Sequence, residues 1–147
     1  MDPRESAVRV VTDTNVVAYY LADHRTHGEE ARLFWRDKPD AIAPASWEAE
    51  ILNVIWFSAR QKVVPAGVAA GWLEDAGRLG VQSVPVRPLL DGALKTALRS
   101  GIAAYDTLFV ELALRRNLPL ATFDAAVLAA FPGVAMRPRQ LLRKRPT

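Results

Sequence analysis

The stretch "VRVVTDTN", residues 8–15, turns from apolar to acidic within a few residues. Val10 and Val11 are β-branched and suit a buried strand, yet the run ends on Asp13, with Thr14 and Asn15 directly behind it. In open α/β folds, ligands bind in the crevice outside the carboxyl ends of the strands, where such a side chain would point. The competing explanation is local, because Asp is a favoured N-cap and residues 14–22, "TNVVAYYLA", read as a helix.

The alternation continues outward from there. Residues 28–37 carry a helical pattern, and 41–45, "AIAPA", reads as a second strand. A helix follows over 46–62 with Ser46 as its N-cap, and another runs to about Leu79 with Pro65 in its first turn. Residues 81–86 read as a strand, 88–99 as a helix, and 102–116 as a strong helix stopped by Asn117 and Pro119. A strand at 119–122, a helix at 124–130 and a strand at 133–136 complete the chain. Short strands separated by helices predict an α/β fold, with a central, mostly parallel β-sheet flanked by helices on both faces. There is no repeat, low-complexity stretch or long linker, so 1–147 reads as a single domain with a basic tail at 137–147.

Composition removes several classes of function. Cysteine is absent, which excludes disulfides, thiolate metal sites and cysteine nucleophiles. No apolar run approaches the roughly 20 residues of a membrane span, so no membrane role is expected. The opening "MDPRESAVRV" lacks the pattern of a secretory signal, and the chain reads as cytoplasmic. The net charge of +3 owes much to the tail, where Arg137, Arg139, Arg143, Lys144 and Arg145 would either meet phosphates or stay solvated.

Three further acids occupy unexpected places. Asp106 lies within "GIAAYDTLFVELALRR", and at helical spacing its neighbours Ile102, Ala103, Phe109, Val110 and Ala113 are all apolar. A carboxylate on such a face is costly unless paired, protonated or bound to metal. Glu50, in "WEAEILNVIW", borders an apolar stripe, as does Glu48 on the opposite side. Glu48 falls in the first turn, where the helix dipole explains an acid, so Glu50 is the stronger functional candidate. Asp124, in "LPLATFDAAV", repeats the opening theme of an apolar strand followed by an acid at a helix start. Like charges gathered in a low-dielectric site repel, and a divalent cation resolves the conflict. Carboxylate oxygens without thiols or a histidine set suit Mg²⁺ or Mn²⁺ rather than zinc.

With these residues assembled, the chain resembles PIN-domain proteins, and among them the VapC-type toxin ribonucleases of toxin–antitoxin pairs. The blocks that carry the resemblance are "VVTDTNVVAYYL", "EILNVIW" and "GIAAYDTLFVELALRRNLPLATFD", in that order. The resemblance implies that Asp13, Asp106 and Asp124 hold one or two Mg²⁺ or Mn²⁺ ions, while Glu50 orients or deprotonates water. Thr14, Asn15, Asn53 and Thr122 would support them. The implied reaction is hydrolysis of RNA phosphodiester bonds, with single-stranded or loop RNA as substrate. The implied partners are a small antitoxin protein and a second copy of the chain. Arg99, Arg115 and Arg116 would be candidate phosphate contacts or ordinary solvated residues.

Other readings are weaker. A phosphatase of the haloacid dehalogenase type needs an acid two residues after the first, where Asn15 stands. A response-regulator receiver needs a late Lys that "LATFD" does not offer. His24 and His27 fall together in "DHRTHGEE" and read as surface residues. A catalytically silent RNA- or protein-binding module would be expected to lack acids, and all four are present. A housekeeping RNA-processing nuclease is the remaining enzymatic alternative. Tyr19, Tyr20, Phe34, Trp35, Trp56, Phe57 and Trp72 suffice for a core and one apolar face besides.

Overall fold

Hydrophobic burial sets the order of the layers. In the computed structural model, which describes residues 7–143, the strands are β1 (Arg9–Thr12), β2 (Asp40–Pro44), β3 (Gln82–Val84), β4 (Leu120–Ala121) and β5 (Ala135–Met136). All neighbouring strands pair in parallel, in the order β3-β2-β1-β4-β5. The central strand β1 pairs Val10 with Ala41 on one side and Thr12 with Ala121 on the other. Val10, Val11, Leu120 and Ala121 are completely buried, as expected for a parallel sheet covered on both faces. The outermost strands are only two or three residues long, which limits the free edge they present.

Among the described residues, seven helices surround the sheet: α1 (Thr14–Leu21), α2 (Gly28–Arg36), α3 (Ser46–Arg60), α4 (Ala66–Arg78), α5 (Leu90–Ser100), α6 (Ala104–Arg116) and α7 (Ala125–Ala130). Parallel crossovers are right-handed, so the steps from β1 to β2 to β3 place α1–α4 on one face. The return to β4 and on to β5 runs in the opposite direction and places α5–α7 on the other. Packing agrees with this, since α1 touches α2, α3 and α4, while α6 packs on α5, β1, β2 and β4. The chain leaves β1 toward one side of the sheet and comes back to β4 on the other. The carboxyl ends of β1 and β4 therefore flank the crevice where the strand order reverses.

All twelve expected elements are present, with shifts at their ends. Ser46 is the first residue of α3 rather than its cap; Ala45 occupies the cap, and the buried Ser46 hydroxyl has no hydrogen-bond partner. Pro65 precedes α4 as its cap instead of sitting within the first turn. Helix α6 begins at Ala104, two residues later than the periodicity suggests, after an extended Ala103. Asn117 stops it in the left-handed conformation at φ 52°, which Asn tolerates better than most residues. In the tail, Pro138–Leu141 form a 3-10 turn docked on α2, whereas Lys144 and Arg145 lie outside the described residues. No described helix is long and apolar enough to cross a membrane.

Candidate active site

Four elements each deliver one acid to a single cleft of about 310 Å³ at the carboxyl end of the sheet. Asp13 comes from the junction of β1 and α1, Glu50 from the second turn of α3, Asp106 from the first turn of α6, and Asp124 from the cap of α7. Thr14, Asn15, Ala18, Tyr19 and Val54 complete the lining. Among the described residues, no Lys, Arg or His forms an ion pair with any of the four acids.

Asp13 stands at the N-cap of α1, yet its side chain makes no capping bond. Its Oδ2 instead accepts the Thr122 hydroxyl at 2.8 Å and, more weakly, Asn15 Nδ2 at 3.5 Å. Thr122, fully buried at the end of β4, also accepts the Asp124 backbone N–H at 3.0 Å and Asn15 Nδ2 at 3.4 Å. Asn15 closes the circuit by accepting the Phe123 N–H on Oδ1 at 3.2 Å. The ends of β1 and β4 are thereby joined by side chains as well as by the bond from Asp13 N–H to the Ala121 carbonyl. Asp124 differs from Asp13 in being a true cap, since its Oδ1 accepts the Val127 N–H at 3.0 Å.

The electrostatics follow from this geometry. Burial pushes the Asp13 carboxyl up to about 7, the bond from Thr122 opposes the rise, and the charges of Asp106 and Glu50 add to it. Glu50 is raised by burial and then by Asp106, and Asp106 by burial and then by Asp124. Thr14 stands near enough to ease the charge on Glu50, but its hydroxyl and Glu50 Oε1 are both buried without a well-formed hydrogen bond.

These orphaned oxygens test the fit of a cation. Among the described residues, no three His, Asp or Glu side chains converge into a ready-made coordination shell. Mg²⁺ does not require one, because it keeps several waters and is commonly bound through one or two carboxylates. Hard oxygen donors, mutual repulsion and a buried carboxylate oxygen without a partner all suit such an ion.

The sequence expectations divide accordingly. Asp13, Thr14, Asn15, Glu50, Asp106, Asp124 and Thr122 are gathered at or beside the cleft. Asn53 is exposed and does not line it, and Glu48 is exposed on the first turn of α3. Asp106 sits in the first turn of α6 rather than in mid-helix, where the helix dipole favours an acid. Arg99, Arg115 and Arg116 are exposed and do not line the cleft, with Arg115 paired to Glu111 at 2.9 Å. Sequence reasoning passed over Tyr19 and Val54, although Tyr19 shares a helix face with Asn15 at a spacing of four. The two histidines are not plain surface residues: both are half-buried in a stack with Tyr19, and His27 also lies against Phe123.

Comparison with known proteins agrees with the fold. The family model described as "PIN domain" matches residues 10–132, which span the entire site. No curated protein matches the chain. Among solved structures, that of PAE2754 from Pyrobaculum aerophilum is similar with a TM-score of 0.71 and 24% identity, over 93% of this chain and 94% of that one. At this identity the likeness concerns the fold. The chain belongs to the PIN domain family, whose members are in general nucleases, and its acidic cleft lies at the carboxyl end of that family's parallel sheet.

Proposed function

We propose that this protein is a metal-dependent endoribonuclease that hydrolyses RNA phosphodiester bonds and serves as the toxin of a toxin–antitoxin pair. One observation carries the enzymatic reading: four carboxylates from four elements line one cleft with no basic partner among the described residues. A binding module has no use for that repulsion. In this reading Asp13, Asp106 and Asp124 hold Mg²⁺ or Mn²⁺. When bound, such an ion lowers the pKa of water and offsets charge on a phosphoryl oxygen. Glu50, with its raised pKa and partnerless Oε1, accepts the proton that the attacking water loses. Thr122 and Asn15 hold the Asp13 carboxylate in one orientation, so that it need not reorganise during the reaction.

The toxin reading draws support from two exposed apolar surfaces, of a kind that marks protein partners. One is the α3–α4 groove, lined by Leu52, Trp56, Ala66, Ala70 and Leu73. Helix α3 thus carries the groove on one face, while Glu50 and Val54 line the acidic cleft from another. The other, on α5 and α6, is lined by Leu90, Leu94, Ala104 and Tyr105 and suits a second copy of the chain.

The deciding experiment is RNA cleavage by the purified protein in Mg²⁺, in Mn²⁺ and in EDTA, beside Asp106→Asn. Cleavage that requires the ion and vanishes in the variant is expected. Cleavage that survives either EDTA or the substitution would refute the assignment.

A further inference from the structure

We propose that Tyr19, backed by His24, His27 and Phe123, forms a nucleobase-binding wall of the cleft, on which a base beside the scissile phosphate of single-stranded RNA stacks. The inference rests on the ribonuclease reading and extends it to the way substrate is held.

The need for such a wall follows from the cleft itself. Among the described residues no Lys or Arg lines it, so these offer no cationic side chain inside it to the phosphates of flanking nucleotides. A cation among the acids would hold the reacting phosphate alone. Flanking nucleotides must then be held through their bases, whose π-faces are available in single strands.

Among the described residues Tyr19 is the one aromatic that lines the cleft, and it is the visible edge of a larger assembly. His24 stacks on the Tyr19 ring at 4.2 Å between centroids and 27° between planes. His27 lies 5.2 Å from His24 and 4.6 Å from Phe123, nearly parallel to both. Phe123, between Thr122 and Asp124 in the chain, is buried in the core and backs the cluster from within. Tyr19, His24 and His27 are only half-buried, unlike the core aromatics Phe34 and Trp35.

The ring edges also carry unused polar groups. His24 Nδ1 accepts the backbone N–H of Thr26 at 3.2 Å and of His27 at 3.1 Å. Its proton therefore resides on Nε2, which makes no hydrogen bond among the described residues. Burial, Arg137 and His24 hold His27 below its usual imidazole range, so its ring stays neutral at pH 7. Arg137 lies 5.3 Å from the Phe123 centroid and is clamped by both oxygens of Glu30. The rings are thus packed against one another within the protein, which reduces the ordering that binding would otherwise require.

The test compares short single-stranded oligoribonucleotides with the same backbone carrying abasic riboses. Binding is read by fluorescence anisotropy on Asp106→Asn protein, and cleavage on otherwise unaltered protein in Mg²⁺ or Mn²⁺. The base-bearing oligomer should bind more tightly, and Tyr19→Ala should weaken it by about tenfold or more while leaving the abasic oligomer unchanged. Tyr19→Phe should retain the preference. Tyr19→Leu and His24→Ala, checked by thermal unfolding, repeat the test should Tyr19→Ala disturb α1. Equal handling of both oligomers, or equal weakening of both by the variants, would overturn the wall and leave the enzyme assignment intact. Tyr19-dependent preference for bases without cleavage of any RNA would do the reverse.

Discussion

Asp13 is ionised in the unfolded chain above its ordinary pKa of 3.8, but in the folded protein it keeps its proton to about pH 7. Between those values the native state binds a proton that the unfolded chain has released. Stability therefore falls as pH rises through this window, and the loss is complete above about pH 7. Each pKa unit corresponds to about 1.4 kcal/mol, so Asp13 alone costs on the order of 4 kcal/mol at high pH in the absence of a cation. Glu50 and Asp106 are raised as well and act in the same direction. In EDTA, the melting temperature should fall from pH 5 to pH 8, and Asp13→Asn should flatten that slope while preserving an acceptor for Thr122. Mg²⁺ should raise the melting temperature more at pH 8 than at pH 5; a wild-type profile flat with pH in EDTA would contradict the account. Thr122→Val tests the support. It removes the donor to Asp13 and the acceptor for the Asp124 N–H, so a loss of about 1–3 kcal/mol in urea titration is expected.

At the level of elements, helix ends account for most of what the sequence left open. The apolar neighbours of Asp106 in the sequence suggest a mid-helix acid, but α6 starts only at Ala104. Ala103 is extended, a backbone choice that hydrophobic periodicity does not register. The cap of α3 is likewise Ala45, with no side-chain capping bond, so Ser46, the residue whose hydroxyl suggested a cap, lies inside the helix. The 3-10 turn at Pro138–Leu141 was invisible inside a basic tail because its partner, Glu30, lies 107 residues away. Arg137 Nη2 meets Glu30 Oε1 at 2.6 Å, and both side chains are largely buried. Arg137→Ala should destabilise the protein by on the order of 1–3 kcal/mol in urea, because Glu30 is left without its charged partner. A change within a few tenths would show that the C-terminal segment is merely laid on the surface.

On the scale of the whole molecule, the reversal of strand order at β1 and β4 brings the four acids together, and the helices outside the sheet leave apolar faces open. Trp56 and Leu98 are 57% and 78% exposed, although they belong to different helices on opposite sides of the sheet. If the α5–α6 face joins two copies, Leu94→Glu should convert a dimer to a monomer by light scattering. Trp56→Glu, in the α3–α4 groove, should leave the mass unchanged. Loss of the dimer through Trp56→Glu instead would exchange the roles of the two faces.

The sequence by itself determined the alternation of strands and helices and the identity of the acids, because both are local: apolar periodicity and a polar residue that interrupts it. It also marked Thr122 and Asn15 as neighbours of those acids. Only the tertiary structure decided that Asn53 faces solvent while Tyr19 faces the cleft, and that two apparently superficial histidines stack beside the site. It alone showed Asp13 held by a hydroxyl 109 residues away rather than capping its own helix. These outcomes depend on which surfaces meet across the sheet, and that is set by burial of the whole core, a quantity no short stretch of chain contains.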